Sequence, residues 1–349
     1  MRITLLLLFL CGAPGALAQD TSLPCASGDR ACARELLKKH PAKQPEFWKA
    51  TLSRPVGERI GAAPAELIKL LALDNVAHEY PNKPRASRLA PDFMADVRRA
   101  FEGIPAAVKA LLGDKLAGIY FIDDIGGTGF TDEVVDAGGT PRLGFIVLDP
   151  TVLSSQKANA WATWKDNTPF KAVPGWSLEE RIELDANDNR VNAIQYILLH
   201  ELAHVLSIGG GFHPSWTPSP QEVPATPAYP YFDLSWRISG DKYASVFDAG
   251  FPRRQNVVFY FGPKLGADAM RDTYSDLERT NFPTLYAATH PADDFAEAFA
   301  NYVHVVMMGR PFEVRIRHDG RVVKTYGACW SQARCAPKRK ILERLLRAG

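Results

Sequence analysis

The pentapeptide His200-Glu201-Leu202-Ala203-His204 constrains this chain more than any other feature. It follows the apolar run Ile194-Gln195-Tyr196-Ile197-Leu198-Leu199, so the spacing predicts a helix over 192–207. On a helix, positions i and i+4 share one face. The two imidazoles then stand side by side, within reach of one metal ion. Glu201 lies one residue along, where it reaches a water held on that metal. Two neutral nitrogen ligands beside a carboxylate are what metal-assisted hydrolysis requires. The competing reading is a core helix that carries two histidines by chance, and the specificity of the H-E-x-x-H spacing weighs against it. Upstream, Asp185-Ala186-Asn187-Asp188-Asn189 lacks the turn glycine and closing glutamate of a calcium loop. It reads as a polar start that caps the helix. Gly209-Gly210-Gly211 ends it.

The amino terminus speaks to compartment. Met1-Arg2 gives a positive start, Leu5 to Leu10 an apolar core, and Ala16-Leu17-Ala18 a small-residue cleavage site. Residues 1–18 are read as a cleaved signal peptide, and the protein as exported, periplasmic or secreted. The apolar run is too short for a membrane span, and no later segment is long enough. Cys25, Cys32, Cys329 and Cys335 remain in the mature chain. In an oxidising compartment their close spacing favours two local disulfides, Cys25–Cys32 and Cys329–Cys335. A cross-link between the chain ends and a four-cysteine zinc site are the alternatives, and neither pair has C-x-x-C spacing.

Of the 349 residues, 46% are hydrophobic, and the net charge is +2. This is a globular balance, without the basic surface a nucleic-acid binder needs. Lys338-Arg339-Lys340 sits in an amphipathic stretch with Ile341, Leu342, Leu345 and Leu346 and reads as a solvated helix face. Residues 19–60 read as a loosely structured lead-in carrying the first cysteine pair, and 61–349 as one domain of α+β class. Helices are expected over 65–73 and over 90–112, the latter split near Gly103-Ile104-Pro105. Strands are expected over 116–122 and 142–148. Gly126-Gly127-Thr128-Gly129 lacks phosphate-loop spacing and reads as a turn. The Pro- and aromatic-rich stretch 212–236 reads as a packed irregular segment or as the wall of a cleft.

A catalytic zinc usually keeps three protein ligands and one open position. A third histidine on the same helix is excluded by register: Ser207 and Gly210 stand where the glycine and histidine of the longer motif would be, and His213 is out of phase. The other source is an acid on a second helix. Ala292 to Tyr302 has helical apolar spacing and sets Asp293 and Glu297 on one face. One of them binds the metal while the other orients a ligating histidine. Phe295, Phe299, Val303 and Val306 mark this helix as largely buried.

These two segments, His200 to His204 and Tyr286-Ala287-Ala288-Thr289-His290-Pro291-Ala292-Asp293-Asp294-Phe295-Ala296-Glu297-Ala298-Phe299, resemble the gluzincin metallopeptidases, especially the catalytic domain of anthrax lethal factor and its relatives. The resemblance covers about residues 140–305, most strongly the two metal helices. It implies a zincin-like α+β fold and one Zn²⁺ ion. The third-ligand place falls on Asp293, an aspartate where that family has glutamate, and the second acid on Glu297. Glu297 as the ligand, with Asp293 supporting it, stays open. The tyrosine that serves the family as proton donor or oxyanion partner falls on Tyr286. The implied activity is zinc-dependent endopeptidase hydrolysis of a peptide or protein substrate, with Glu201 as general base. The fold analogy also has the strand at Arg142–Leu148 pair with an extended substrate. The alternative is an exported zinc-binding or partner-binding protein on a catalytically inactive zincin fold. A third reading keeps the hydrolysis but directs it at a cell-wall peptide or amide.

Overall fold

The computed structural model describes residues 24–26, 28–216, 218–224, 228–260 and 262–347. The expected signal peptide, 1–18, lies outside them. Helices come first: α1 (Arg30–Lys38) and α2 (Pro45–Leu52), joined through a 3-10 turn at Pro41–Lys43. Strand β1 (Ile60–Ala62) leads to α3 (Ala65–His78), the short β2 (Arg85–Ala86), α4 (Pro91–Glu102) and α5 (Ala106–Ala110). Then come β3 (Leu116–Asp123), β4 (Gly129–Val135), β5 (Pro141–Leu148), α6 (Pro150–Leu153) and α7 (Ala158–Asn167). Strands β6 (Phe170–Lys171) and β7 (Trp176–Arg181) precede the long helix α8 (Arg190–Ser207). The chain continues through β8 (Trp236–Ser239), β9 (Lys242–Ser245), β10 (Leu265–Gly266) and α9 (Met270–Leu277). It ends with α10 (Pro291–Tyr302), β11 (Glu313–His318), β12 (Arg321–Gly327) and α11 (Ala336–Arg347). The class is α+β.

The largest sheet has the order β1-β3-β5-β4, with β2 appended to β3. Strands β1, β3 and β5 are parallel, and β4 runs antiparallel to β5 at the edge. Parallel strands are stable only with both faces covered, which is why their sequences read as continuous apolar runs. On one face Leu116, Ile119, Phe121, Ile146 and Leu148 join the core built around α4, α7, α8 and α10. On the other, Ala117, Tyr120, Phe145 and Val147 pack beneath α3 and the lead-in. Trp48 of α2 is 1% exposed, and its ring stacks 5.6 Å from that of Phe145. From Arg30 onward the lead-in is therefore an ordered helical layer, not a loose segment. A boundary at 60/61 cuts β1, whose Ile60 is paired with Ile119. The expectation for Arg142–Leu148 is also corrected. As β5 it is bonded on both sides, by β3 and β4, and cannot take a further strand; β4 is the edge.

Asn189 caps α8 by accepting from Asn192 N at 3.1 Å, and Gly209, at φ +64°, turns the chain away after it. Helix α10 packs against α8. It opens on His290, whose Nδ1 accepts from Ala292 N, and gives way at Val303–Met307 to a π-helical turn that leaves Val306 exposed, against expectation. Both expected disulfides are formed, Cys25–Cys32 and Cys329–Cys335. No helix among the described residues is long and apolar enough to cross a membrane.

The basic cluster on α11 is not simply a solvated face. Lys338 is 0% exposed, and its Nζ lies 2.5 Å from Asp294 Oδ1. Asp294 Oδ2 also accepts from Trp236 Nε1 at 3.0 Å. Burial draws the Lys338 ammonium down to about 8 against the pull of Asp294. This pair fixes α11 to α10, one residue from Asp293. Removing one partner of a buried pair strands the other charge and costs about 3–5 kcal/mol. Lys338→Met should therefore lower unfolding free energy by about that amount in denaturant titrations. Lys338→Met with Asp294→Asn should cost less than Lys338→Met alone. A single variant as stable as wild type would contradict this role.

Candidate metal centre

Helix α8 delivers His200 and His204 to one side, as the i, i+4 spacing requires. Helix α10 delivers Asp293 opposite them. The two Nε2 atoms are 3.2 Å apart, and Asp293 Oδ1 lies 3.6 Å from His204 Nε2 and 4.0 Å from His200 Nε2. One ligand atom from each residue falls within 4.8 Å of the others. A tetrahedral ion bound at 2.0–2.1 Å separates its ligand atoms by ~3.3 Å. The three donors therefore fit a single metal ion with small adjustments, and nitrogen and oxygen donors suit a borderline-soft one.

Glu297 stands one turn beyond Asp293 and has a different role. Its Oε1 lies 3.0 Å from His200 Nδ1, the ring nitrogen that faces away from the other donors. The same oxygen accepts from Lys165 Nζ at 2.8 Å, and Oε2 accepts from Thr284 Oγ1 at 2.6 Å. Glu297 is 1% exposed. Burial alone would raise its pKa, but the Lys165 ammonium and the His200 ring outweigh this and hold the carboxyl far below the usual carboxylate range. Burial likewise opposes protonation of His200, and Glu297 overcomes it, so the His200 pKa rises. Asp293 feels a burial penalty too, yet His204, His290 and His200 around it draw its pKa down. Both acids are thus ionised, one beside the donors and one behind His200. Of the two assignments the sequence leaves open, the geometry brings Asp293 into the group that could hold an ion and sets Glu297 behind His200, beside Lys165.

Glu201 points to the edge strand. Thr131 Oγ1 of β4 lies 2.8 Å from Glu201 Oε2 and 3.0 Å from the Glu201 carbonyl oxygen. Tyr286, in a 3-10 turn before α10, stacks on the His200 ring with centroids 5.6 Å apart. Lys165 Nζ sits 4.8 Å from the Tyr286 ring centroid on its π face. Burial raises the Tyr286 phenol well above its ordinary pKa, with Asp293 adding to the shift, so it remains a hydrogen-bond donor at neutral pH. His200, Glu201 and Tyr286 all border a cavity of about 360 Å³, shared with Trp161, Ile197 and Tyr260.

Four contributors have no motif in the sequence: Lys165, Thr131, Thr284 and Tyr260. Tyr260 holds φ +67°, a left-handed conformation rare for a bulky residue, of the kind that clusters at functional sites. Its signal is confined to the aromatic run Phe259-Tyr260-Phe261. His213 stays outside the donor set: its Nδ1 pairs with Pro214 O at 2.7 Å, and burial lowers its pKa to about 4. Trp216 meets His204 edge-on at 5.7 Å, while Tyr231 and Trp236 are core residues. No family model, no curated protein and no solved structure matches the chain.

The different positions of the two acids have different consequences. Asp293→Ala should abolish stoichiometric zinc binding in calorimetric titrations. Glu297→Gln should retain binding with affinity reduced about 10–100-fold, the usual effect of removing a supporting carboxylate. The reverse ranking would make Glu297 the ligand.

Proposed function

We propose that this chain is an exported zinc-dependent metallopeptidase of zincin-like, gluzincin type. The observation that carries the reading is the convergence of His200, His204 and Asp293 on one point, with Glu201 and Tyr286 beside them on the wall of one cavity. Two disulfides and the lack of any membrane-spanning helix among the described residues are compatible with export.

His200, His204 and Asp293 would hold the ion. Zinc bound there supplies Lewis acidity, which brings a water toward ionisation near neutral pH and polarises a carbonyl. Glu201 would accept a proton from the attacking water as its oxygen bonds to the scissile carbonyl carbon. Thr131, within hydrogen-bond distance of Glu201 Oε2, fixes where the carboxylate points. The C–N bond breaks as Glu201 returns the proton to the leaving amine. Tyr286 donates a hydrogen bond to the carbonyl oxygen as negative charge grows on it. Glu297 keeps the His200 ring oriented with Nε2 forward. An inactive binding protein on the same fold would have no use for Glu201, so the general-base variant separates the two readings.

Glu201→Gln should keep its zinc and lose about 10²–10⁴-fold in peptide turnover. Full activity in that variant would remove Glu201 from the mechanism. Tyr286→Phe should lower kcat by about 10²–10³-fold with KM nearly unchanged. A loss confined to KM would make Tyr286 a substrate contact instead.

A further inference from the structure

β4 is the edge of its sheet beside the site, but that edge is not open along its length. In an antiparallel pair, alternate residues turn their peptide groups toward the partner and away from it. Asp149 N donates to Thr128 O at 2.9 Å, while Gly144 N donates to Lys115 O at 2.8 Å, on the β3 side. With the register Phe130↔Val147 and Glu133↔Gly144, the peptide groups of Phe130, Asp132 and Val134 face β5. Those of Gly129, Thr131 and Glu133 face outward.

At Glu133 the outward groups are already used. Glu133 N donates to Asp132 Oδ1 at 2.8 Å. Glu133 O accepts from Lys43 Nζ at 3.4 Å, and the same ammonium is paired with the Asp132 carboxylate. The Pro41–Lys43 turn of the lead-in lies beside β4 at this point. The loop after α8 adds a second wall. Ser215 Oγ donates to Glu133 Oε2 at 2.7 Å, and its neighbour Trp216 stands against His204. The other end of β4 is different: Gly129 and Phe130 border the 360 Å³ cavity.

We propose that the lead-in closes one end of the cleft, so that the site takes the end of a peptide and not its middle. This rests on the metallopeptidase reading above. A substrate strand can pair with Gly129 and Thr131 and must stop at Glu133. Antiparallel pairing, the more stable kind, puts the substrate's amino-terminal side toward Glu133. Thr131 holds Glu201, so the scissile bond lies near Thr131. Glu133 is two residues further, ~7 Å at about 3.4 Å per residue. About two substrate residues fit on that side of the cut. The carboxy-terminal side runs past Gly129 to the cavity, with no such stop among the described residues. The substrate class is peptides cut close to the amino terminus, which narrows the endopeptidase expectation.

The test maps every cut that the zinc-loaded protein makes in a library of proteome-derived peptides, by mass spectrometry, for wild type, Lys43→Ala, Lys43→Met and Asp132→Asn. Wild type should release amino-terminal fragments of about two residues. The variants should move the majority of cuts to interior positions. Wild-type cuts spread through peptide interiors would overturn the proposal. So would an unchanged cut pattern in folded variants, or release of carboxy-terminal fragments only. Failure of the wild type to cut any peptide with zinc bound would instead overturn the peptidase reading itself.

Discussion

Glu297 carries a full negative charge in the protein interior, and the candidate site is built around keeping it there. Lys165 from α7 neutralises it, Thr284 fills one of its oxygens, and His200 of α8 presents Nδ1 to the other. An isolated carboxylate at such depth would shed its charge by taking a proton, and an isolated lysine would do the reverse. Together they lock three helices at one point. The locked geometry turns His200 Nε2 toward His204 and Asp293. The proposed metal site would therefore depend on a contact that no metal would touch.

The sheet provides the second constraint. Its parallel strands demand cover on both faces, and on one face α3 and the lead-in helices supply it. The antiparallel β4 ends the sheet above α8, which places Thr131 against Glu201. The Glu201 carboxylate is thus aimed from the sheet, while the candidate metal donors are aimed from the helices. The same lead-in that covers the sheet reaches round its edge through Lys43. Fold stability and access to the site are two effects of one packing arrangement.

Much of the site was legible because its signals are local. The i, i+4 spacing, the Asn189 cap, the Gly209 stop and the short cysteine intervals each lie within one or two helical turns. The choice between Asp293 and Glu297 was not legible, since both fall on one face of one helix. What separates them is Lys165, 132 residues away from Glu297. Nothing near Lys165 marks it as buried; in sequence it resembles any lysine at a helix end. Lys338 misleads in the same way, because its partner Asp294 lies on another helix. The apolar run 142–148 reads as a strand, but its place inside the sheet is a matter of strand order, which periodicity does not encode. The lead-in reads as loose for a related reason: its helices are short, and the face they cover exists only once the sheet is assembled.

The most direct test of the account is X-ray diffraction from crystals of the zinc-loaded protein at wavelengths on both sides of the zinc absorption edge. One strong anomalous peak is expected, bonded to His200 Nε2, His204 Nε2 and a carboxylate oxygen of Asp293, with Glu297 still held by Lys165 behind His200. A peak at another place, or no peak at this one, would contradict it.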